Sequence, residues 1–313
     1  MEELTYWVNG AFVPASQAVI PLEHRGFRQG DAVFDTERTF NGRIFKLAEH
    51  LARLERSLRY ARIDPGLTMA ELAEASEEAV ARNRHLLERC GDFWVTQIVA
   101  RGQGPSPAQA GRAFVAVTLR VLPFAKMAPF YSAGVPLAVP SIRTNAVGGL
   151  DPKVKAVSRM QFALADLEAK QRDPEAFALM LDERGNLAEV VSGNVFLVRD
   201  GMVRTPSERA ILEGVSRATT IALCREAGLR VEEGEWQPYD LLTADEAFVT
   251  TTSICLLPVR SLNGTPIGAG VPGPVTRRVT AAWNALAGLD IAEQYRTYAA
   301  RPAVQAVPEA VAR

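Results

Sequence analysis

Histidine and cysteine are scarce, three of each in 313 residues. His24, His50 and His85 form no pair at metal-ligand spacing, which excludes a histidine-based metal centre. Cys90, Cys224 and Cys255 lie far apart, without the paired spacing of a zinc site or a disulfide framework, and read as reduced, mostly buried thiols. No run approaches the ~18 apolar residues of a membrane helix. The opening MEELTYWVNG has no basic segment followed by an apolar one, so cytoplasmic residence is expected. The formal net charge of -1 gives no electrostatic reason for a nucleic-acid or acidic-membrane partner. A GxGxxG stretch after a strand is missing, which disfavours a nicotinamide enzyme, and there is no repeat of fixed period. The remaining expectation is a site for small molecules.

Hydrophobic residues make up 48% and charged residues 23%, the balance of a chain that buries a sizeable core, and the length predicts two domains, or one domain with a large extension. LTYWVNGAFV and AVFDTERTF…RIFKL read as hairpins about Asn9-Gly10 and Asn41-Gly42. Leu47, Leu51, Leu54, Leu58 and Ala61 recur at helical spacing, and Thr68 with Glu71 opens a second helix as a capping box. FWVTQIVARG and AFVAVTLRVLPF read as strands. Residues 1–122 therefore form a small N-terminal α/β domain, 123–134 a linker marked by Pro129 and Gly134, and 135–313 a larger domain of strands and helices. Repeated turns at Asn9, Asn41, Asp200 and Asn263 suggest antiparallel sheets curling into barrel-like layers.

Several residues carry chemistry. Lys155, after the turn Asp151-Pro152 and before a helix, becomes a nucleophile if its pKa is lowered, with Lys153 an immediate competitor. Glu189 precedes the small turn Ser192-Gly193; it reads either as a surface glutamate before a turn or as a buried carboxylate, which beside a pyridine nitrogen would hold that nitrogen protonated. Gly214, Val215 and Ser216 open a helix, whose free amides suit an anion. Threonines and a serine end the strand FVTTTS, a further source of hydroxyl donors, and Arg53 lies on a leucine-striped helix.

Taken in order, RGFRQGDAVFDTERTFNGRIFKLAEHLARL, LDPKVK, LAEVVSGNVFLVRDG, ILEGVSR and ADEAFVTTTSICLLPVRSLNG resemble successive blocks of class IV, fold-type IV aminotransferases over roughly residues 6 to 285. That resemblance implies a mixed α/β, two-domain fold with pyridoxal 5'-phosphate as cofactor. It implies Lys155 as Schiff-base lysine and proton shuttle, which separates it from Lys153, and Glu189 at the pyridine nitrogen. Phosphate binding falls to Arg53, Val215, Ser216, Thr252 and Ser253, and Ser192, Gly193, Asn194, Leu212, Gly214 and Thr251 complete the cofactor set. Arg38 and Arg112 are candidates for a substrate carboxylate, and Phe40, Trp94 and Leu256 for side-chain pockets.

Departures bear on the substrate. Met160 stands where branched-chain enzymes carry a tyrosine, Phe34 where relatives often do, and Trp94-Val95-Thr96 replaces a Tyr-x-Arg pattern. The wording is most similar to (R)-selective amine transaminases, which implies ping-pong transfer from a primary amine or amino acid to a 2-keto acid. Branched-chain or D-amino acid transamination, and pyruvate elimination of the aminodeoxychorismate lyase type, are the alternatives. A homodimer is implied by the resemblance alone.

Overall fold

The computed structural model describes residues 3–146 and 148–301. Residues 1–2 and 302–313, which the expected domains include, lie outside the described residues. The chain divides into two compact units. The first holds the residues up to Pro123 together with Val154–Ser158 and residues 300–301; the second holds Phe124–Lys153 and Arg159–Ala299.

In the first unit, β1 (Thr5–Val8), β2 (Ala11–Pro14), β3 (Ala32–Phe40), β4 (Arg43–Ile44), β5 (Phe93–Ala100) and β6 (Phe114–Val121) make one antiparallel sheet in the order β2-β1-β6-β5-β3-β4. Both expected hairpins are present, with Asn9 and Gly10 at φ 50° and 99° and Asn41 and Gly42 at 51° and 72°, as a two-residue I′ turn requires. The helices are α1 (Arg25–Arg28), α2 (Leu47–Ala61), α3 (Met69–Arg82) and α4 (Leu87–Cys90). Leu51, Leu54 and Leu58 of α2 and Leu72, Ala79 and Val80 of α3 pack with Val33, Val95, Val99 and Val117 of the sheet. The capping box forms as expected: Glu71 N donates to Thr68 Oγ1 at 3.1 Å and Thr68 N to Glu71 Oε2 at 2.7 Å. Because side chains alternate along a strand, Phe34, Thr36, Trp94, Thr96 and Ile98 project from the other face, where they are half-buried.

The expected linker is structured. α5 (Phe124–Met127) and α6 (Phe130–Ala133) occupy it, since buried Phe124, Met127 and Phe130 anchor the segment. The second unit continues with β7 (Val135–Ala138), α7 (Met160–Arg172), β8 (Phe177–Leu181), β9 (Leu187–Val190), β10 (Gly193–Arg199), β11 (Met202–Pro206), α8 (Val215–Glu226), β12 (Val231–Gly234), α9 (Pro238–Leu242), β13 (Glu246–Thr250), β14 (Leu257–Leu262), β15 (Thr265–Pro266), α10 (Pro274–Ala287) and α11 (Ile291–Ala299). The strand order β12-β11-β10-β13-β14-β7-β8-β9, with a further β9–β10 pairing, closes β7, β8, β9, β10, β13 and β14 into a six-stranded ring, the expected barrel-like sheet.

Three pairings, β7–β8, β7–β14 and β11–β12, are parallel, although the turn pattern suggested antiparallel sheets. Two of them are joined through crossover helices, α7 and α8, as parallel neighbours require. Strand β9 and helices α10 and α11 were not anticipated. Among the described residues no helix is long and apolar enough to cross a membrane.

Candidate active site

Residues 154–158 lie along β3. Phe34 N donates to Lys155 O at 3.0 Å, Val157 N to Ala32 O at 2.9 Å, and Lys155 N to Ser57 Oγ of α2 at 3.2 Å. The backbone of Lys155 is thus fixed on both sides, and its Nζ sits 4.7 Å from the centre of the Phe34 ring. Lys153, its competitor, pairs with Asp151 at 3.1 Å in the second unit.

The opposite face of β3 carries a buried charge network. Arg53 Nε and Nη2 donate to Asp35 Oδ2 and Oδ1 at 2.8 and 2.6 Å, and His50 Nδ1 lies 2.8 Å from Asp35 Oδ1. Burial alone would raise the Asp35 carboxyl, but the Arg53 charge and the hydrogen bonds from Arg53 and His50 outweigh it and hold the group well below its usual range. Burial lowers His50, with its bond to Asp35 opposing. A neutral imidazole beside an ionised Asp35 donates through Nδ1–H. Two residues on, burial and then the Asp35 charge push Glu37 well above the ordinary glutamate range. Glu37 contacts Gln97, whose Nε2 also donates to Ser76 Oγ at 3.0 Å. Asp35, Glu37 and His50 together offer ligand atoms within 4.8 Å of one another, but the Arg53 guanidinium already supplies the compensating charge.

The second unit gathers another set where β9, β10 and β13 run side by side. Glu189 on β9 is in register with Asn194 on β10, and Asn194 with Thr250 on β13. Leu212 N approaches Glu189 Oε2 at 3.4 Å, and Asn194 Nδ2 donates to Leu212 O at 3.3 Å. A Cβ on Gly193 would meet Thr250 O at 2.1 Å, and one on Gly214 would meet Asn194 Oδ1 at 2.1 Å, so both glycines are demanded by close approach. Ser192 is exposed in the β9–β10 turn. Gly214 is the N-cap of α8 and makes no side-chain cap, leaving the amides at Val215 and Ser216 as an anion-ready helix start. After β13, Thr251 Oγ1 and Ser253 Oγ stand 3.1 Å apart, with Thr252 half-buried between them. The Thr250 hydroxyl is buried and unpartnered among the described residues.

The substrate candidates scatter more widely. Arg38 is buried, donates through Nε to Thr39 O at 3.0 Å, and lays its guanidinium 4.0 Å over the Phe40 ring. Trp94 is its cross-strand neighbour. Arg112 is exposed on the loop before β6, and Leu256 is buried in the β13–β14 turn. Met160 is 73% exposed at the start of α7.

Sequence reasoning missed Asp35, His50 and Arg159. Burial lowers the Arg159 guanidinium, with the Glu189 charge opposing, and the group stacks 4.0 Å over Phe162. Its signal was an arginine four residues after the candidate lysine, at the cap of α7.

Known proteins are similar to this chain in sequence and fold. The family model for amino-transferase class IV matches residues 32–262. A D-alanine aminotransferase of Bacillus licheniformis is 32% identical over 276 residues, covering 88% of this chain and 94% of the relative. A branched-chain-amino-acid aminotransferase of Salmonella typhimurium is 26% identical over 287 residues, covering 90% and 92%. The crystal structure of a T.th. branched-chain amino acid aminotransferase complexed with N-(5'-phosphopyridoxyl)-L-glutamate superposes with a TM-score of 0.81 at 29% identity, over 92% of this chain and 95% of that one. The chain belongs to the class IV aminotransferase family.

Proposed function

We propose that the protein is a pyridoxal 5'-phosphate-dependent transaminase that passes an amino group from an amino acid to a 2-keto acid. The observation that carries this reading is the placement of Lys155, whose backbone is bonded to β3 and α2 and whose Nζ lies over Phe34. The cofactor fits the residues present. An uncapped start of α8, the Thr251 and Ser253 hydroxyls and the orphaned Thr250 hydroxyl suit a phosphate, and the glycines at 193 and 214 leave room that a Cβ would fill. The superposing structure with a phosphopyridoxyl group supports the same assignment.

When bound, pyridoxal phosphate supplies an electron sink for bond breaking at the substrate carbon. Lys155 would hold the cofactor through Nζ with loss of water and, once displaced by the substrate amine, would be free to move a proton at the substrate carbon. Glu189, held by the Leu212 amide, keeps the pyridine nitrogen protonated. Val215, Ser216, Thr252 and Ser253 would hold phosphate oxygens in the second unit, and Arg53, which the resemblance implies as a further phosphate ligand, is fixed by Asp35 in the first. Ser192, Gly193, Asn194, Leu212, Gly214 and Thr251 shape this surface. Arg38 and Arg112 remain the candidates for a substrate carboxylate, with Phe40, Trp94 and Leu256 for its side chain.

A second reading, an (R)-selective amine transaminase, is favoured by the Thr36 and Thr96 hydroxyls, 2.9 Å apart on the half-buried sheet face, Thr96 standing in place of the arginine of a Tyr-x-Arg pattern, and by the Arg38 guanidinium lying on Phe40. A homodimer belongs to the same proposal: Met160, Leu164 and Leu167 make an apolar stripe on α7 that is 73%, 47% and 60% exposed.

The test is to load the purified protein with pyridoxal phosphate and follow its visible band on adding (R)-1-phenylethylamine, (S)-1-phenylethylamine, L-leucine and D-alanine separately. Rapid bleaching by L-leucine or D-alanine supports amino acid transamination, bleaching by the (R)-amine alone supports the second reading, and the absence of any band rejects both.

A further inference from the structure

The turn that follows β13 is strained, and it is braced from behind by two tyrosines. Cys255 is buried with φ 60°, and Leu256 N donates to Ile254 O at 2.7 Å across it, the form of γ-turn that carries strain. Residues in such sparsely populated conformations persist only where their surroundings over-determine them. Here Tyr295 of α11 donates its hydroxyl to Ser253 O at 2.9 Å, and Tyr131 of α6 donates to Ile254 O at 2.8 Å.

Each of those carbonyls belongs to a planar peptide whose other end points at Thr251. The Ser253 carbonyl shares its peptide with Ile254 N, which approaches Thr251 Oγ1 at 3.4 Å. The Ile254 carbonyl shares its peptide with Cys255 N, which donates to Thr251 O at 3.0 Å. A tyrosine hydroxyl on one side of each plane therefore orients Thr251 on the other, and Thr251 in turn meets Ser253 Oγ at 3.1 Å. The two tyrosines also support each other. The Tyr295 ring lies 5.1 Å from that of Tyr131 and 4.8 Å from Phe124, so α5, α6 and α11 act on the turn as one aromatic block.

We propose that Tyr131 and Tyr295 are positioning residues for phosphate recognition, holding the Thr251–Ser253 hydroxyls in the geometry that accepts a phosphate monoester. The inference rests on the reading of this turn as part of the phosphate site. It makes the region expected as a linker and the unanticipated last helix supports of the turn, acting through the Ser253 and Ile254 carbonyls.

The experiment is equilibrium titration of the cofactor-stripped protein with pyridoxal phosphate and, separately, with pyridoxal, which lacks the phosphate. The wild-type protein is expected to prefer the phosphorylated form. Tyr131→Phe and Tyr295→Phe are each expected to weaken pyridoxal phosphate binding about 5- to 10-fold, the loss of one hydrogen bond, while pyridoxal binding stays within about twofold. Variants that bind pyridoxal phosphate as the wild type does, or that lose both ligands equally, overturn the proposal. Should buried Tyr295 tolerate no change, half-buried Tyr131 carries the test alone. A wild-type protein without preference for the phosphorylated form removes the phosphate site itself, and shows this before any variant is made.

Discussion

Arg53 and Asp35 form a two-pronged ion pair, Nε to Oδ2 at 2.8 Å and Nη2 to Oδ1 at 2.6 Å, with both side chains shut off from solvent. The sequence presents Arg53 as a cation available to a phosphate; the fold commits one edge of it to a carboxylate eighteen residues earlier. Removing one partner of a buried pair leaves the other charge uncompensated, at a cost of about 3–5 kcal/mol. Asp35→Asn is therefore expected to lower the thermal midpoint by roughly 10 °C. The sign with pH follows from a depressed folded pKa: the pair's stability is present above the ordinary carboxylate range and lost as pH falls below about 4. Thermal melts between pH 2 and 7 should show this acid limb in the wild type and a flatter one in Asp35→Asn; parallel limbs would count against the pair.

Glu37 acts in the opposite window. Its folded pKa is raised by burial and then by Asp35, so the unfolded chain releases the proton first as pH rises above about 4.5. Across that window stability falls by up to about 1.4 kcal/mol per pH unit until the folded group ionises too. Glu37→Gln keeps the shape and removes the titration. Its thermal midpoint should exceed the wild type's at pH 8 and converge with it near pH 4; an unchanged difference across that range would show that Glu37 does not stay protonated in the fold.

The elements that could be read were those written in local chemistry. Asn9-Gly10 and Asn41-Gly42 need φ > 0 at both positions and mark their own turns, and the leucine spacing of α2 needs only one helix to be visible. Strand β9 could not be read because four residues of LAEV become a strand through pairing with β8 and β10, partners that lie on either side of it only in the closed ring. The same holds for the site. Lys155, Glu189 and the start of α8 stand in recognisable stretches, whereas Asp35 behind Arg53, Arg159 beside Glu189 and the tyrosines behind Thr251 act across distances in sequence that only packing closes.

Arg159 should matter through charge. Burial penalises its cation, and the Glu189 carboxylate is the opposing influence. Arg159→Met removes a positive charge near a carboxylate proposed to stay ionised, which disfavours the ionised form. We expect kcat to fall about tenfold at neutral pH, with the acidic limb of the kcat profile moved to higher pH. Arg159→Lys retains the charge and should restore the position of that limb. If the methionine variant lost activity with an unshifted profile, Arg159 would be a packing residue against Phe162.

Gly214→Ala offers a steric test of the surface around Asn194. Gly214 has φ -67° and ψ 126°, which alanine adopts without strain, so backbone conformation does not require glycine there. The requirement comes from Asn194 Oδ1, 2.1 Å from where the Cβ would stand. Asn194 is buried, bonded to Leu212 O and flanked in the sheet by Glu189 and Thr250, so it has little room to yield. Overpacking of this kind costs about 1–3 kcal/mol, and displacing Asn194 disturbs both Leu212 and the start of α8. Gly214→Ala is expected to weaken pyridoxal phosphate binding at least tenfold, and Asn194→Ala to weaken it less. The double variant separates the causes. With the amide gone the methyl has space, so its affinity should recover toward that of Asn194→Ala, a coupling that independent sites do not show. Additive losses would mean that Gly214 is needed for approach to the phosphate itself and not for its fit against Asn194.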